Sequence, residues 1–196
     1  MNRDVPNPRT PAVVVGMCSH GLAISRSLGR RGIPVFGLES NPRLPAIRTR
    51  FAKVSPATDV NGPALIADLI EFRRRFREDP VLYLTNDNMV RTVAGAAEEL
   101  QKHYKLHWPE PGLVRRLLDK QHIESVARAS GLNYPRSILI SGVEDIDRVR
   151  GDLRFPMAFK PTRPLSRFKA MKVNSETELA ANLKRYGGPS EVFLLQ

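Results

Sequence analysis

Apolar residues in this chain fall into short continuous runs, separated by stretches in which they recur every three or four positions. The runs at 12–15, 34–38 and 81–84 are four or five residues long, rich in Val and Leu, and end at or near Gly16, Glu39 and Thr85. Such runs predict strands buried on both faces. Between the first two, Leu22, Ile24 and Leu28 lie among small and polar residues up to Gly32, which predicts a helix over 21–31. Strand, helix and strand make a β-α-β unit, whose default is parallel pairing through a right-handed crossover. Residues 51–54 predict a short further strand. Leu65, Leu69, Phe72 and Phe76 share one side of a helix predicted over 62–78. Asn86-Asp87-Asn88 can cap a helix in which Met89, Val93, Ala97 and Leu100 face one way. Residues 104–108 predict a last strand before Pro109 and Pro111. Residues 11–109 therefore read as an open α/β sheet with helices on both faces, after a loose tail over 1–10.

The pattern then changes character. Residues 111–130 are helical with a break near Asp119, and 131–135 form a turn into a strand at 137–140. The remainder supplies three strands, at 156–160, 168–173 and 191–196, and two helices, at 144–150 and from Ser175 onward. Ser175 with Glu178 three positions later matches a capping box. Residues 110–196 thus predict a smaller α+β unit. There is no internal repeat and no low-complexity tract.

Composition narrows the function. In 196 residues, 41% are hydrophobic, enough for one large core or two small ones, and the net charge is +11. That surplus favours anionic partners such as a nucleotide, a nucleic acid or an acidic metabolite. Basic residues do not alternate with aromatic ones as on a single-strand nucleic-acid platform, so a nucleic-acid partner is disfavoured. Cys18 is the sole cysteine, which rules out an internal disulfide and a cysteine-built zinc site, and suits a reducing cytoplasm. No run of about twenty apolar residues predicts a membrane span. Of the four histidines, His103 and His107 straddle a predicted helix-to-strand transition and so form no helical ligand pair, and no serine or cysteine has a recognisable triad around it; the sequence offers no protein metal site.

Two positions carry the chemistry. Lys160 closes the apolar run 155–159, and an ammonium at the end of a buried strand is costly without an anionic partner. Lys120 follows Asp119 at the break between two helical stretches. Two lysines from different elements suggest a nucleotide cleft, where they would neutralise and orient phosphates. In an open α/β sheet, ligands sit beyond the carboxyl ends of strands. That picks out Gly16, His20, Glu39 and Asp87 as candidate substrate-binding residues. Gly16-Met17-Cys18-Ser19-His20-Gly21 lacks the three-glycine dinucleotide fingerprint, so a nicotinamide cofactor has little support.

The order of these parts resembles the ATP-grasp superfamily. The resemblance rests on an α/β domain, then Asp119-Lys120 and a helix leading into Ala129-Ser130-Gly131-Leu132-Asn133-Tyr134-Pro135, then the strand-borne lysine of Phe155-Pro156-Met157-Ala158-Phe159-Lys160-Pro161. Val192-Phe193-Leu194-Leu195-Gln196 is similar to the strand entering that family's adenine-binding hinge. The closest group is the carboxylate–amine ligases, including D-aspartate ligase-like proteins. The resemblance implies an open Rossmann-like pre-ATP-grasp domain followed by an incomplete α+β ATP-grasp subdomain. It implies ATP as cofactor and a small carboxylate substrate, with Lys120, Lys160 and Gln196 at the nucleotide. The segment 161–169 has two prolines and no glycine, so closure over phosphates would use polar side chains of this segment, Arg163, Ser166 and Lys169 among them. In this superfamily the Mg2+ ligands lie on the second half of the fold. They are expected beyond residue 196, and the chain is expected to be truncated before them and inactive or weakly active alone. The alternatives are a non-catalytic nucleotide-binding or interaction module, completed by a partner chain or as a homo-oligomer, and a basic nucleic-acid-binding protein.

Overall fold

The strands pair in two separate sheets of four. In the computed structural model, residues 9–163 and 168–196 are described. The chain divides into two compact units, Met1–Val114 and Arg115–Gln196.

The first unit runs β1 (Ala12–Val15), α1 (Ser19–Gly29), β2 (Val35–Glu39), a single 3-10 turn (Pro45–Arg48), β3 (Lys53–Pro56), α2 (Ala64–Arg73), β4 (Val81–Leu84), α3 (Asp87–Gly95) and α4 (Ala97–Leu100). The strands lie in the order β3-β2-β1-β4 and all three pairings are parallel. Successive residues of β1 bury opposite faces. Val13 and Val15 join Leu38, the α2 residues Leu65, Leu69 and Phe72, and Met89 and Val93 of α3. Val14 joins Met17 and Val35, with Ile24 and Leu28 of α1 packed against them. Helices therefore cover both faces, as an all-parallel sheet requires. Each fully buried aliphatic side chain contributes about 1.5–3 kcal/mol relative to exposure.

Three expectations need correction here. The third strand is Lys53–Pro56 rather than 51–54. It is an edge strand, which tolerates the missing N–H of Pro56, while the Phe51 ring carries the guanidiniums of Arg30 and Arg50 instead. The helix predicted over 62–78 is confined to Ala64–Arg73. The Arg73 side chain then donates to the Phe76 carbonyl and pairs with Asp79, which holds the chain in a turn. Residues 104–108 form no strand: Lys105 makes an isolated parallel bridge to Val81. The apolar alternation there is real but serves packing. Tyr104 is buried with its hydroxyl donating to the Leu69 carbonyl at 2.7 Å, and Leu106 and Trp108 lie against the same core.

A helix, α5 (Pro111–Leu117), leads toward the second unit, which contains α6 (Lys120–Ala129), β5 (Ile138–Ile140), α7 (Ile146–Val149) between two 3-10 turns, β6 (Met157–Pro161), β7 (Met171–Val173), α8 (Glu176–Tyr186) and β8 (Phe193–Leu195). The predicted break near Asp119 separates α5 from α6. The sheet order is β5-β8-β6-β7 and every pairing is antiparallel. The strand at 137–140 thus belongs to the same sheet as the later three, giving four strands, because Leu139 finds its register opposite Leu194. Met157, Phe159, Phe193 and Leu195 build one face of the core with Leu179 and Leu183 of α8 and with Ile146 and Val149. Along β6 the buried residues alternate with Ala158 and Lys160, so Lys160 stands on the other face. Ser175 caps α8 by accepting from the Glu178 N–H, and the Glu178 carboxylate returns to the N–H of Asn174. Among the described residues no helix is long and apolar enough to cross a membrane.

Candidate functional site

In the second unit both predicted lysines are tied to β6 or its neighbour β8. Lys160 sits in register with Leu194 of β8, on the sheet face turned away from Phe159. Its Nζ donates to Oε1 of Gln196, just past β8, at 2.5 Å. Lys120 opens α6 and its Nζ donates to the carbonyl of Pro161, the residue after Lys160, at 3.3 Å. Both side chains belong to half-buried residues. Among the described residues neither lysine takes part in an ion pair. Their acceptors are an amide and a peptide oxygen, which orient an ammonium without cancelling its charge. A cation half out of water and held by neutral acceptors retains its pull on an anion.

The surroundings are less uniform. Asp119 is buried, 8% exposed. Arg163 is exposed and its Nη2 is 4.0 Å from Asp119 Oδ2, the outer limit of an ion pair. Lys169 is exposed in the irregular segment before β7. Ser166 lies outside the described residues. Two residues that the sequence did not single out join the site. Ser137 Oγ accepts from Gln196 Nε2 at 2.7 Å, and the Ser137 N–H donates to Glu124 Oε2 on α6 at 2.7 Å. Hydrogen bonding from Arg128, and then from Ser137, holds the Glu124 carboxyl below its ordinary range. Ser137 and Gln196 are 59 positions apart, and no spacing rule links a residue before one strand to a residue after another.

In the first unit the candidates cluster at the carboxyl ends of β1, β2 and β4. Gly16 follows β1 at φ +83°, a left-handed conformation that favours glycine, and a Cβ there would strike Thr85 Oγ1 and the Met89 methyl. A Cβ on Gly21 would collide with the Gly16 carbonyl oxygen. The two glycines let α1 start directly over the β1 end. Glu39, the last residue of β2, is buried and its carboxylate is engaged from within: Oε2 accepts from the Met17 N–H at 2.6 Å and Oε1 from the Asn41 N–H at 2.8 Å. It fastens the first turn to the second strand. His20 is exposed in the first turn of α1, with Nδ1 3.6 Å from Cys18 Sγ. Burial pushes the Cys18 thiol up, but hydrogen bonds from the Gly21 N–H and from His20 and Thr85 outweigh it and bring the pKa down to about 7. Asp87 is exposed at the start of α3, behind the true cap, Asn86, whose Oδ1 accepts from the Met89 N–H at 3.0 Å.

Among the described residues no three His, Cys, Asp or Glu side chains converge as a metal centre would need. Two ammonium groups held by neutral acceptors suit an anionic ligand.

No protein-family model and no curated protein matches the chain. Solved structures do. The chain is similar to the L-amino acid ligase from Bacillus licheniformis with a TM-score of 0.73 and 16% identity, over 97% of this chain and 44% of that one. It is similar to an N5-carboxyaminoimidazole ribonucleotide synthetase in its ADP complex at a TM-score of 0.69 and 18% identity, over 99% of this chain and 48% of the other. The corresponding synthase from Aspergillus clavatus complexed with ATP gives 0.68 and 16%, over 94% and 47%. The chain spans less than half the length of each. At these identities the likeness is one of fold: an α/β fold with a parallel sheet followed by an α+β segment.

Proposed function

We propose that this chain is the nucleotide-binding portion of an ATP-dependent carboxylate–amine ligase of the ATP-grasp superfamily. The observation that carries the proposal is the two ammonium groups held along β6 by neutral acceptors, Lys160 by an amide oxygen and Lys120 by the Pro161 carbonyl, neither matched by a carboxylate among the described residues. The fold likeness to an L-amino acid ligase and to N5-carboxyaminoimidazole ribonucleotide synthetases, one of the latter solved with ADP and another with ATP, supports the same reading.

In that reading Lys120 and Lys160 bind and orient the phosphates of ATP. Arg163 and Lys169, both exposed on the segment that follows β6, come to the phosphates from the solvent side, with Ser166 between them in sequence. Gln196 borders the base. The small carboxylate belongs to the first unit, around Gly16, His20 and Asp87. The overall reaction is attack of the substrate carboxylate on the γ-phosphorus, which breaks the bond to ADP and forms an acyl phosphate. An amine then attacks the acyl carbon, phosphate leaves, and the amine loses a proton. The lysines lower the barrier of the first step by offsetting charge on the transferring group. Bound magnesium would add further positive charge at the phosphates.

Isothermal titration with ATP tests the proposal. Lys160→Ala and Lys120→Ala should each weaken binding by about tenfold or more, the size of one charge-assisted contact. Unchanged affinity in both variants, or no binding at millimolar ATP by the unaltered chain, overturns it.

A further inference from the structure

A phosphate-binding lysine is useful only if its charge is both aimed and uncancelled. Lys160 extends from the sheet face opposite the core, where a long flexible side chain has many rotamers open to it. An ammonium has donors and no acceptor, so the Gln196 amide must present its oxygen to Lys160. That leaves the amide NH2 facing Ser137, whose Oγ accepts it at 2.7 Å. Ser137 is fixed in turn, its N–H on Glu124 of α6 and its hydroxyl 3.3 Å from the Pro135 carbonyl. Glu124 is anchored by Arg128 at 2.8 Å. The chain of contacts thus runs from α6 through the approach to β5 and the end of β8 to the lysine on β6.

We propose that Ser137 and Gln196 are positioning residues that hold the Lys160 ammonium in place through a neutral acceptor, so that its charge is kept for the phosphate chain of a nucleotide. The inference rests on the nucleotide reading above and adds the role of the amide. A carboxylate at position 196 would hold the amine just as well in space and would compete with phosphate for it. The amide gives direction without competition. When phosphate arrives, the ammonium need only turn from Gln196, and the Ser137 contact keeps the amide from following it.

Two measurements test this. The first is the rate of acetylation of Lys160 by acetic anhydride, read by mass spectrometry against exposed Lys184 in the same unit. Ser137→Ala should raise the Lys160:Lys184 ratio severalfold, and Ser137→Thr, which keeps the hydroxyl, should restore it. The second is titration with ATP and with adenosine. Gln196→Glu should weaken ATP by about tenfold, one charge-assisted contact, and adenosine by clearly less. Gln196→Met, neutral and of similar size, should lose the labelling protection without the full loss of ATP affinity. An unchanged labelling ratio in Ser137→Ala, or equal loss of ATP and adenosine in Gln196→Glu, overturns the proposal. Should the unaltered chain bind no ATP, the nucleotide reading fails and the charge-keeping role falls with it, while the labelling ratio still decides whether the holding pair exists.

Discussion

A single methyl group separates Gly21 from alanine, and the first unit has no room for it. The added Cβ would meet a backbone oxygen, that of Gly16, which cannot rotate aside as a side chain could. Gly21→Ala should therefore cost about 1–3 kcal/mol, read as a lower urea midpoint with unchanged slope. The neighbouring thiol gives a prediction with a sign. The Cys18 pKa is lowered to about 7 in the folded chain, below its value in an unfolded one of about 8.5. Ionisation therefore stabilises the fold fully above the unfolded value, and that contribution is lost as pH falls through about 7. Alkylation of Cys18 by iodoacetamide should show its midpoint near pH 7, moving upward in His20→Ala; a midpoint at the ordinary cysteine value would refute the hydrogen bonds assigned to it. Residue identity drew attention to Lys160, because an ammonium at the close of an apolar run has few explanations, and the run does form a strand that carries it. It misread Glu39. A carboxylate at the end of β2 looks like a ligand group in sequence, and only the fold shows Met17 and Asn41 already donating to it.

Elements were legible where one force acts alone. β1 is four apolar residues buried on both faces, and its pattern admits no other reading. Asn86 and Ser175 were legible as caps because capping is local chemistry, completed within three residues. Ser175→Ala should cost about 1 kcal/mol, detectable in thermal melts as a lower midpoint for the second unit, since α8 supplies Leu179 and Leu183 to its core. The misread elements are those whose fate depends on partners distant in sequence. Residues 104–108 have the alternation of a strand, yet the backbone of Lys105 meets its neighbour only once, at Val81. Tyr104 is instead drawn inward by the carbonyl of Leu69, 35 positions away. Similarly, nothing local says that β5 pairs with β8, the last strand of the sheet, rather than with the strand that follows it.

At the scale of the molecule, the net charge of +11 acts on any anion that approaches. Binding of ATP should weaken as salt rises, by about tenfold between low salt and 0.5 M, because the Debye length shrinks from about 10 Å at 0.1 M towards 3 Å at 1 M. Affinity that ignores salt would show that the contact is not electrostatic. The sheet order of the second unit has a further consequence, for synthesis. β8 is an interior strand, bonded to β5 on one side and β6 on the other, yet it is the last of the four to leave the ribosome. Until it emerges, β5 has no neighbour and β6 is paired on one side only, so this sheet cannot close before β8 has been made. Its nascent form would leave Ile140 and Phe159 open to water and to chaperones, and a ribosome paused before Phe193 would hold a first unit already folded and a second still waiting.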